Sequence, residues 1–457
     1  MTYQRHTAPR SLPGPDDTLR QTLPNGITIL VRENFASPAV VVNGYLEVGA
    51  EDEPRGSFGL AGFVSDVMER GTRRRPFDQL YEEVESIGAV FGIGSGTHIT
   101  SFGAKSLAED LPLLLDILSD VIRHPEFPER QVEKARTEIL TDLHERAHDT
   151  RRMASRTFYE LAYPETHPYH WSQLGYPETI SAVTREDLAD FHARYFAPKG
   201  MVIVVVGGIK AESAAESIGD IFGDWDAERP ERPLLPEVPP LAERREQRIT
   251  LEEKTQSNLV MGWPGPARRD RDFLACHVAN TVLGVFGMYG RLGREIRERN
   301  GLAYYVYSRI DGGTGPGPWR VIGGFDPSRV DLGLDLIVTE LRRLRDERVP
   351  DDELHDSHSY LTGSLPLHLE TNEGVSRSLL NIERHGLGLD YLLRYSALIH
   401  EVNTDDVQAA AQRWLNPDAF ALAVAGPDHS DSALAAAEAE ELPADDAPGL
   451  APSGGDL

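Results

Sequence analysis

Cysteine is nearly missing from this chain. A single one, Cys276, stands among 457 residues. That excludes an internal disulfide and any zinc or iron–sulfur centre held by cysteines, and Cys276 itself reads as a small buried residue on a helix. Long apolar runs are missing too. No stretch of about 18 apolar residues occurs, so no transmembrane helix is expected. Basic charge is in deficit: 46 Lys and Arg against 73 Asp and Glu give a formal net charge of -27. Nucleic acid and anionic membrane surfaces need basic patches, so neither is an expected partner. The opening "MTYQRHTAPRSLPGPDD" has no apolar stretch behind its basic residues. It therefore does not read as a secretory signal, and a cytoplasmic location is expected. The end, "LPADDAPGLAPSGGDL", has almost nothing to bury, and residues 431–457 read as a disordered tail.

What is present suits a soluble globular protein, with 40% hydrophobic and 26% charged residues. The length exceeds one ordinary core. Two segments repeat without a gap: "ISAVTREDLADFHARYFAPKGMVIVVVGG" from Ile180 and "IHEVNTDDVQAAAQRWLNPDAFALAVAGP" from Ile399. Thr184 and Asn403 fit as helix N-caps, with Asp187 and Asp406 three residues on completing capping-box-like starts. Pro198 and Pro417 stop the helices, and a buried-looking strand follows each. Between the copies lies "DWDAERPERPLLPEVPPLAERREQ", a linker composition. The expected organisation is a domain over 18–225, a linker over 226–246 and a second domain over 247–430. Each half reads as strands first, then alternating helices and strands. "LRQTLPNGITILVRE" is a hairpin around Asn25-Gly26. Helices follow around 59–69 and 77–87, then the strand pair "AVFGIGSG" and "HITSFGAKS", then helices from Leu107 and Glu129. This is α+β, with two homologous domains, each a mostly antiparallel sheet with helices packed on one side.

"HERAH", 144–148, spells His-Glu-x-x-His. On a helix, two histidines one turn apart can grip zinc while the glutamate acts as base on a metal-bound water. A third ligand would come from Glu160, Glu165, His167 or His170, and nothing singles one out. Ile139, Leu140, Leu143 and Ala147 mark the buried stripe of this helix. His144 and His148 lie one step round from it, among charged neighbours such as Arg146 and Asp149. That pattern reads as a solvated face. A zincin through His144, Glu145 and His148 is the alternative.

"GLAGFVSDVMERGT", 59–72, resembles the first active-site helix of the pitrilysin/insulinase family of zinc peptidases, G-L-A-H-F-x-E-H-M-x-x-x-G-T, which carries the inverted motif H-x-x-E-H. "LPNGITILV", "GAEDEP", "KARTEILTDLHERAHDT" and "REIRERNGLAYYVYS" resemble further family segments in order. The duplication fits as well, since the family is built from paired homologous domains.

The resemblance implies a dismantled metal site. The family's two metal histidines fall on Gly62 and Asp66, its general-base glutamate on Ser65, and its third ligand at or near Asp142. No catalytic residue and no metal is then expected in this chain alone. The resemblance also implies a retained part. Arg297 and Tyr304 match an Arg and a Tyr that reach across to the scissile carbonyl, where guanidinium and phenol are both donors. The expected function is a non-catalytic subunit of a two-subunit bacterial peptidase. A homologous partner would hold zinc, and this chain would close the peptide chamber. The alternative is a structural or interaction protein of the same fold, like the core subunits of respiratory complex III. A substrate peptide is expected to add as a strand to a sheet edge. The candidate in the first half is "FGIGSGTH", 91–98, whose Gly92, Gly94 and Gly96 leave few side-chain pockets.

Overall fold

The computed structural model describes residues 12–285 and 290–428, and the expected tail at 431–457 lies outside the described residues. Among the described residues, eleven strands form two sheets. The first holds β1 (Leu19–Thr22), β2 (Thr28–Glu33), β3 (Ala39–Leu46), β4 (Val90–Ser95), β5 (Thr100–Leu107) and β6 (Val202–Gly207), in the order β1-β2-β6-β3-β5-β4. The second holds β7 (Arg245–Thr250), β8 (Ser257–Pro264), β9 (Ala303–Ile310), β10 (Pro318–Phe325) and β11 (Ala421–Gly426), in the order β7-β11-β8-β10-β9. In each sheet one pair is parallel, β2 with β6 and β7 with β11, and the others are antiparallel. The second sheet thus repeats the first strand for strand, lacking only the outer β1. β4 and β9 are corresponding edges.

Local chemistry accounts for the elements. The β1–β2 turn closes on Gly26 at φ 91, and the Asn25 amide donates to the carbonyls of Phe222 (2.8 Å) and Trp225 (3.2 Å). Thr184 accepts from Asp187 N to start the helix Arg185–Tyr195, and Asn403 accepts from Asp406 N to start Thr404–Trp414. Both are capping boxes, as the repeat predicts.

β6 and β11 are buried along their whole length, and alternation explains why. Ile203 and Val205 join the helices of the first half, among them Leu114, Ile117 and Leu188. Val202, Val204 and Val206 face the other way and meet Val375 and Leu379. Those two residues sit on the helix Asn372–His385, which belongs to the second half of the chain. The exchange is reciprocal. The helix Thr150–Ala162, from the first half, packs on β8 and β11 through Ala154, Phe158 and Ala162. So each sheet carries helices of its own half on one face and one helix of the opposite half on the other. Polar contacts fix the register of the first exchange: Asn43 donates to Ser376 Oγ (3.0 Å), Asn34 to Asn372 Oδ1 (2.7 Å), and Arg20 makes a bidentate pair with Glu383 (2.7 and 3.0 Å).

Residues 225–244 form neither helix nor strand. They are nonetheless tied to the first half, because Arg229 pairs with Glu47, and Arg232 with Glu51 and Asp52 at 2.6 Å each. Cys276 is fully buried on the helix Phe273–Gly284, and burial pushes its thiol well above the usual range. No described helix is long and apolar enough to cross a membrane.

Candidate functional site

The helix Leu60–Met68 begins at Gly59, which has a left-handed backbone (φ 92). Glu53 caps it, accepting from Gly59 N (3.2 Å) and Ala61 N (2.9 Å). Gly62 and Asp66 of this helix line one cavity of about 270 Å³ with Glu138 and Asp142 of the helix Glu129–Ala147. The structure therefore brings together three of the four positions the resemblance picks out. The chemistry there is ion pairing. Asp66 bonds Arg70 (3.0 Å), and Arg70 also bonds Glu138 (2.6 Å). Asp142 holds both guanidinium nitrogens of Arg152, at 2.7 and 2.8 Å. The bond from Arg152 keeps the Asp142 carboxyl below the usual carboxylate range. Burial pushes Asp66 up, against the pull of Arg70. At Gly62 any side chain would start 3.2 Å from the Gln173 carbonyl oxygen. Among the described residues, no group of three or more His, Cys, Asp or Glu is placed to hold a metal ion.

Ser65, the fourth position, is committed elsewhere. It is buried, donates to Gly62 O (2.8 Å) and accepts from Ser95 N (3.2 Å). One residue past the helix, Glu69 accepts from Ile93 N. Ile93 and Ser95 alternate along β4, the open edge of the first sheet, so both N–H groups are ones an added strand would need. Side chains from the neighbouring helix already occupy them. Burial raises the Glu69 carboxyl to about 7, with the Ile93 N–H opposing the shift.

Arg297 and Tyr304 lie in the second half. Arg297 is half-buried in the short helical segment Gly293–Arg299, which has π-type hydrogen bonding. Tyr304 is the second residue of edge strand β9 and is 81% exposed. Neither residue is among those lining the chamber between the two halves of this chain.

"HERAH" does not lie on one helix. His144 is in the helix Glu129–Ala147, but His148 is its C-cap, and Asp149 caps the next helix by accepting from Arg152 N at 2.7 Å. His144, Glu145 and His148 are exposed, and His148 Nδ1 contacts the His144 carbonyl oxygen at 2.9 Å. Of the proposed third ligands, Glu160 pairs with Arg156 (2.9 Å), His170 Nδ1 contacts Tyr163 O (2.9 Å), and His167 is fully buried against Tyr163 and Tyr169. One detail of the expected stripe is corrected. Ala147 is exposed, and Arg146 is buried in its place. Its guanidinium reaches Ser172 Oγ (2.7 Å) and Gly175 O (3.0 Å), so its polar end is satisfied while its stem is covered.

Sequence reasoning missed Arg70 and Glu69 in the first helix and Arg152 beyond the second. Asp66 and Arg70 stand four apart, a spacing that places both on one helix face. Arg152 carries no such signal, because the helix ends between it and Asp142.

Duplicated sheets with helices on their flanks, and a cavity between two helices at the positions the resemblance picks out, define a metallopeptidase-like fold. The insulinase (peptidase family M16) profile matches residues 28–168, and the peptidase M16 inactive domain profile matches 182–359. The chain belongs to peptidase family M16. It is similar to an uncharacterized zinc protease of Streptomyces coelicolor, 27% identical over 400 residues and 86% of each chain. It is also similar to a probable mitochondrial-processing peptidase subunit beta of Arabidopsis thaliana, 24% identical over 423 residues, 90% of this chain and 78% of the relative. The fold matches the crystal structure of a peptidase M16 inactive domain from Pseudomonas fluorescens, with a TM-score of 0.84 and 23% identity over 90% of this chain and 98% of the other.

Proposed function

We propose that this chain is the non-catalytic subunit of a two-subunit peptidase of family M16. A homologous partner would carry zinc on H-x-x-E-H, and this chain would close the peptide chamber and supply Arg297 and Tyr304. Tyr304 carries the reading. Its phenol is exposed at the start of an edge strand and lies outside the lining of its own chain's chamber. So placed, its hydroxyl is open to a group presented by another chain. Phenol and guanidinium are donors suited to a peptide carbonyl and its developing oxyanion. The arginine-filled metal positions fit catalysis housed in the other subunit. Zinc, when bound there, would polarise the carbonyl and activate water. This chain's part is to bind and orient the peptide and to donate to the oxygen. We place the pair in the cytoplasm, acting on unfolded peptides.

A second reading, a non-enzymatic assembly subunit of the same fold, draws support from the β4 edge, whose outward N–H groups at Ile93 and Ser95 are already bonded to Glu69 and Ser65. Purification of the chain from its native host, with identification of what accompanies it, separates the two. The proposal expects a homologue bearing H-x-x-E-H, and peptide cleavage by the pair that neither chain performs alone. A companion without that motif, or an inert pair, favours the assembly subunit.

A further inference from the structure

An open cleft of about 1070 Å³ lies between the two halves. That is at the upper end of the usual range for ligand sites and roomy enough for a stretch of peptide. Its lining inverts the charge of the protein. Arg146, Arg151, Arg152, Arg156, Arg309 and Arg384 all contribute to it, and Asp311 is the one carboxylate among its lining residues, in a chain whose formal net charge is -27. Three of these arginines are neutralised locally: Arg152 by Asp142, Arg156 by Glu160 and Arg309 by Asp311. The other three form no ion pair among the described residues. Arg146 spends its donors on Ser172 and the Gly175 carbonyl. Arg151 donates one hydrogen bond to Tyr307 Oη (2.9 Å) and stacks 5.4 Å from the Tyr305 ring centroid. Arg384 has a buried Nε with no hydrogen-bond partner. It comes from the exchanged helix Asn372–His385, whereas Arg146 and Arg151 flank the helix boundary at 147–150, so the unneutralised charges come from both halves of the chain.

Burial disfavours the charged forms of Arg146 and Arg384, which make no ion pair among the described residues, and an anion entering this cleft beside them and Arg151 would offset that. We propose that this cleft selects acidic peptide segments, with Arg151 and Arg384 taking Asp or Glu side chains from opposite walls. Guanidinium groups match carboxylates with paired hydrogen bonds. The tyrosine-lined wall at Tyr159 and Tyr169 offers apolar surface for the peptide between its charges. A nucleic acid is the poorer fit, because a long polyanion would have to cross an acidic exterior to reach the basic lining. This rests on the reading of the chain as half of a peptide chamber, and it adds which peptides that chamber favours.

The test uses the full chain without a partner and three fluorescent twelve-residue Gly/Ser peptides of the same length, carrying Glu, Gln or Lys at alternate positions. Binding is read by anisotropy at low and moderate salt. The expected result is that the Glu peptide binds at least about tenfold tighter than the Gln peptide, since charge-assisted hydrogen bonds of this kind contribute more than neutral ones. The Lys peptide should not bind. The Arg151→Gln/Arg384→Gln variant should lose the preference while keeping the wild-type thermal transition. Should that variant not fold, the Glu-against-Gln comparison on the unaltered chain decides alone. Equal binding of the Glu and Gln peptides, or no binding of either, overturns the proposal. So does an oligonucleotide of equal charge that binds as tightly as the Glu peptide. Cleavage of a neutral peptide by the reconstituted pair is a separate measurement. A chain without acidic preference in an active pair refutes this inference alone, and an inert pair with the preference intact refutes the subunit reading alone.

Discussion

Arg152 holds Asp142 through two parallel hydrogen bonds, at 2.7 and 2.8 Å, at or near the position where the resemblance puts the family's third metal ligand. Both side chains are about two-fifths exposed, so the pair contributes at most about 1 kcal/mol to stability. Its consequence is chemical. With Arg70 between Asp66 and Glu138, each carboxylate of this cavity is already paired with a guanidinium group.

Restoring ligands alone should therefore be insufficient. The isolated protein is expected to bind no stoichiometric zinc. Gly62→His, Ser65→Glu, Asp66→His and Asp142→Glu together should bind it weakly, since Arg70 and Arg152 remain and a side chain at 62 crowds the Gln173 carbonyl. Adding Arg70→Ala and Arg152→Ala should tighten zinc binding by about tenfold or more, because removing adjacent cations favours a divalent one. Competition with a chromogenic chelator measures both. Tight zinc in the wild-type chain, lost in His148→Ala, would restore the zincin alternative.

The exchanged helices make the two halves one folding unit. Leu379 is fully buried against the first sheet although it belongs to the second half. Leu379→Ala should cost about 2–5 kcal/mol, seen as a single shifted transition in urea by both fluorescence and circular dichroism. A fragment ending near residue 226 would leave Val204 and Val206 uncovered and is expected to aggregate. A soluble, cooperatively folded fragment would contradict the packing described.

Within "HERAH" the silent residue should matter more than the named ones. His144→Ala changes an exposed side chain and should move stability by less than about 0.5 kcal/mol. Arg146→Met removes the donors to Ser172 and Gly175 and should cost about 1–3 kcal/mol. Thermal melts of the two variants, side by side, check the order.

How much of this was legible in the sequence follows from range. The capping boxes at Thr184 and Asn403 and the turn at Asn25-Gly26 are set by neighbours within a few residues, and they stand where the pattern puts them. The two-sheet fold followed from the repeat and the family resemblance. The exchange of helices is a contact across about 100 residues or more, and an apolar stripe such as Val375 and Leu379 does not say whose sheet it covers. Ala147 and Arg146 were assigned to the wrong faces because apolar spacing ignores the long stem of an arginine. The sealing of β4 by Glu69 and Ser65 also lies beyond periodicity, since it depends on how close one helix comes to one strand.

Glu69 gives stability a pH dependence of known sign. Its carboxyl is raised by burial to about 7 in the folded chain, against about 4.5 unfolded. The folded state then holds the proton more tightly, and the contribution is fully present below about pH 4.5 and is lost as pH rises through about 7. Glu69→Gln should remove that loss, so urea midpoints of wild type and variant should diverge between pH 5 and 8, with the variant favoured at the upper end. Parallel midpoints across the range would contradict the assignment.

The central claim is that this chain lends Arg297 and Tyr304 to a zinc-bearing partner, and Tyr304→Phe tests it most directly. The measurement is kcat for cleavage of an unfolded peptide by the reconstituted pair, with assembly checked by size-exclusion chromatography. The account predicts an intact complex whose kcat falls by about 10²–10³, the usual cost of one lost donor to an oxyanion. An intact complex with kcat unchanged would contradict it.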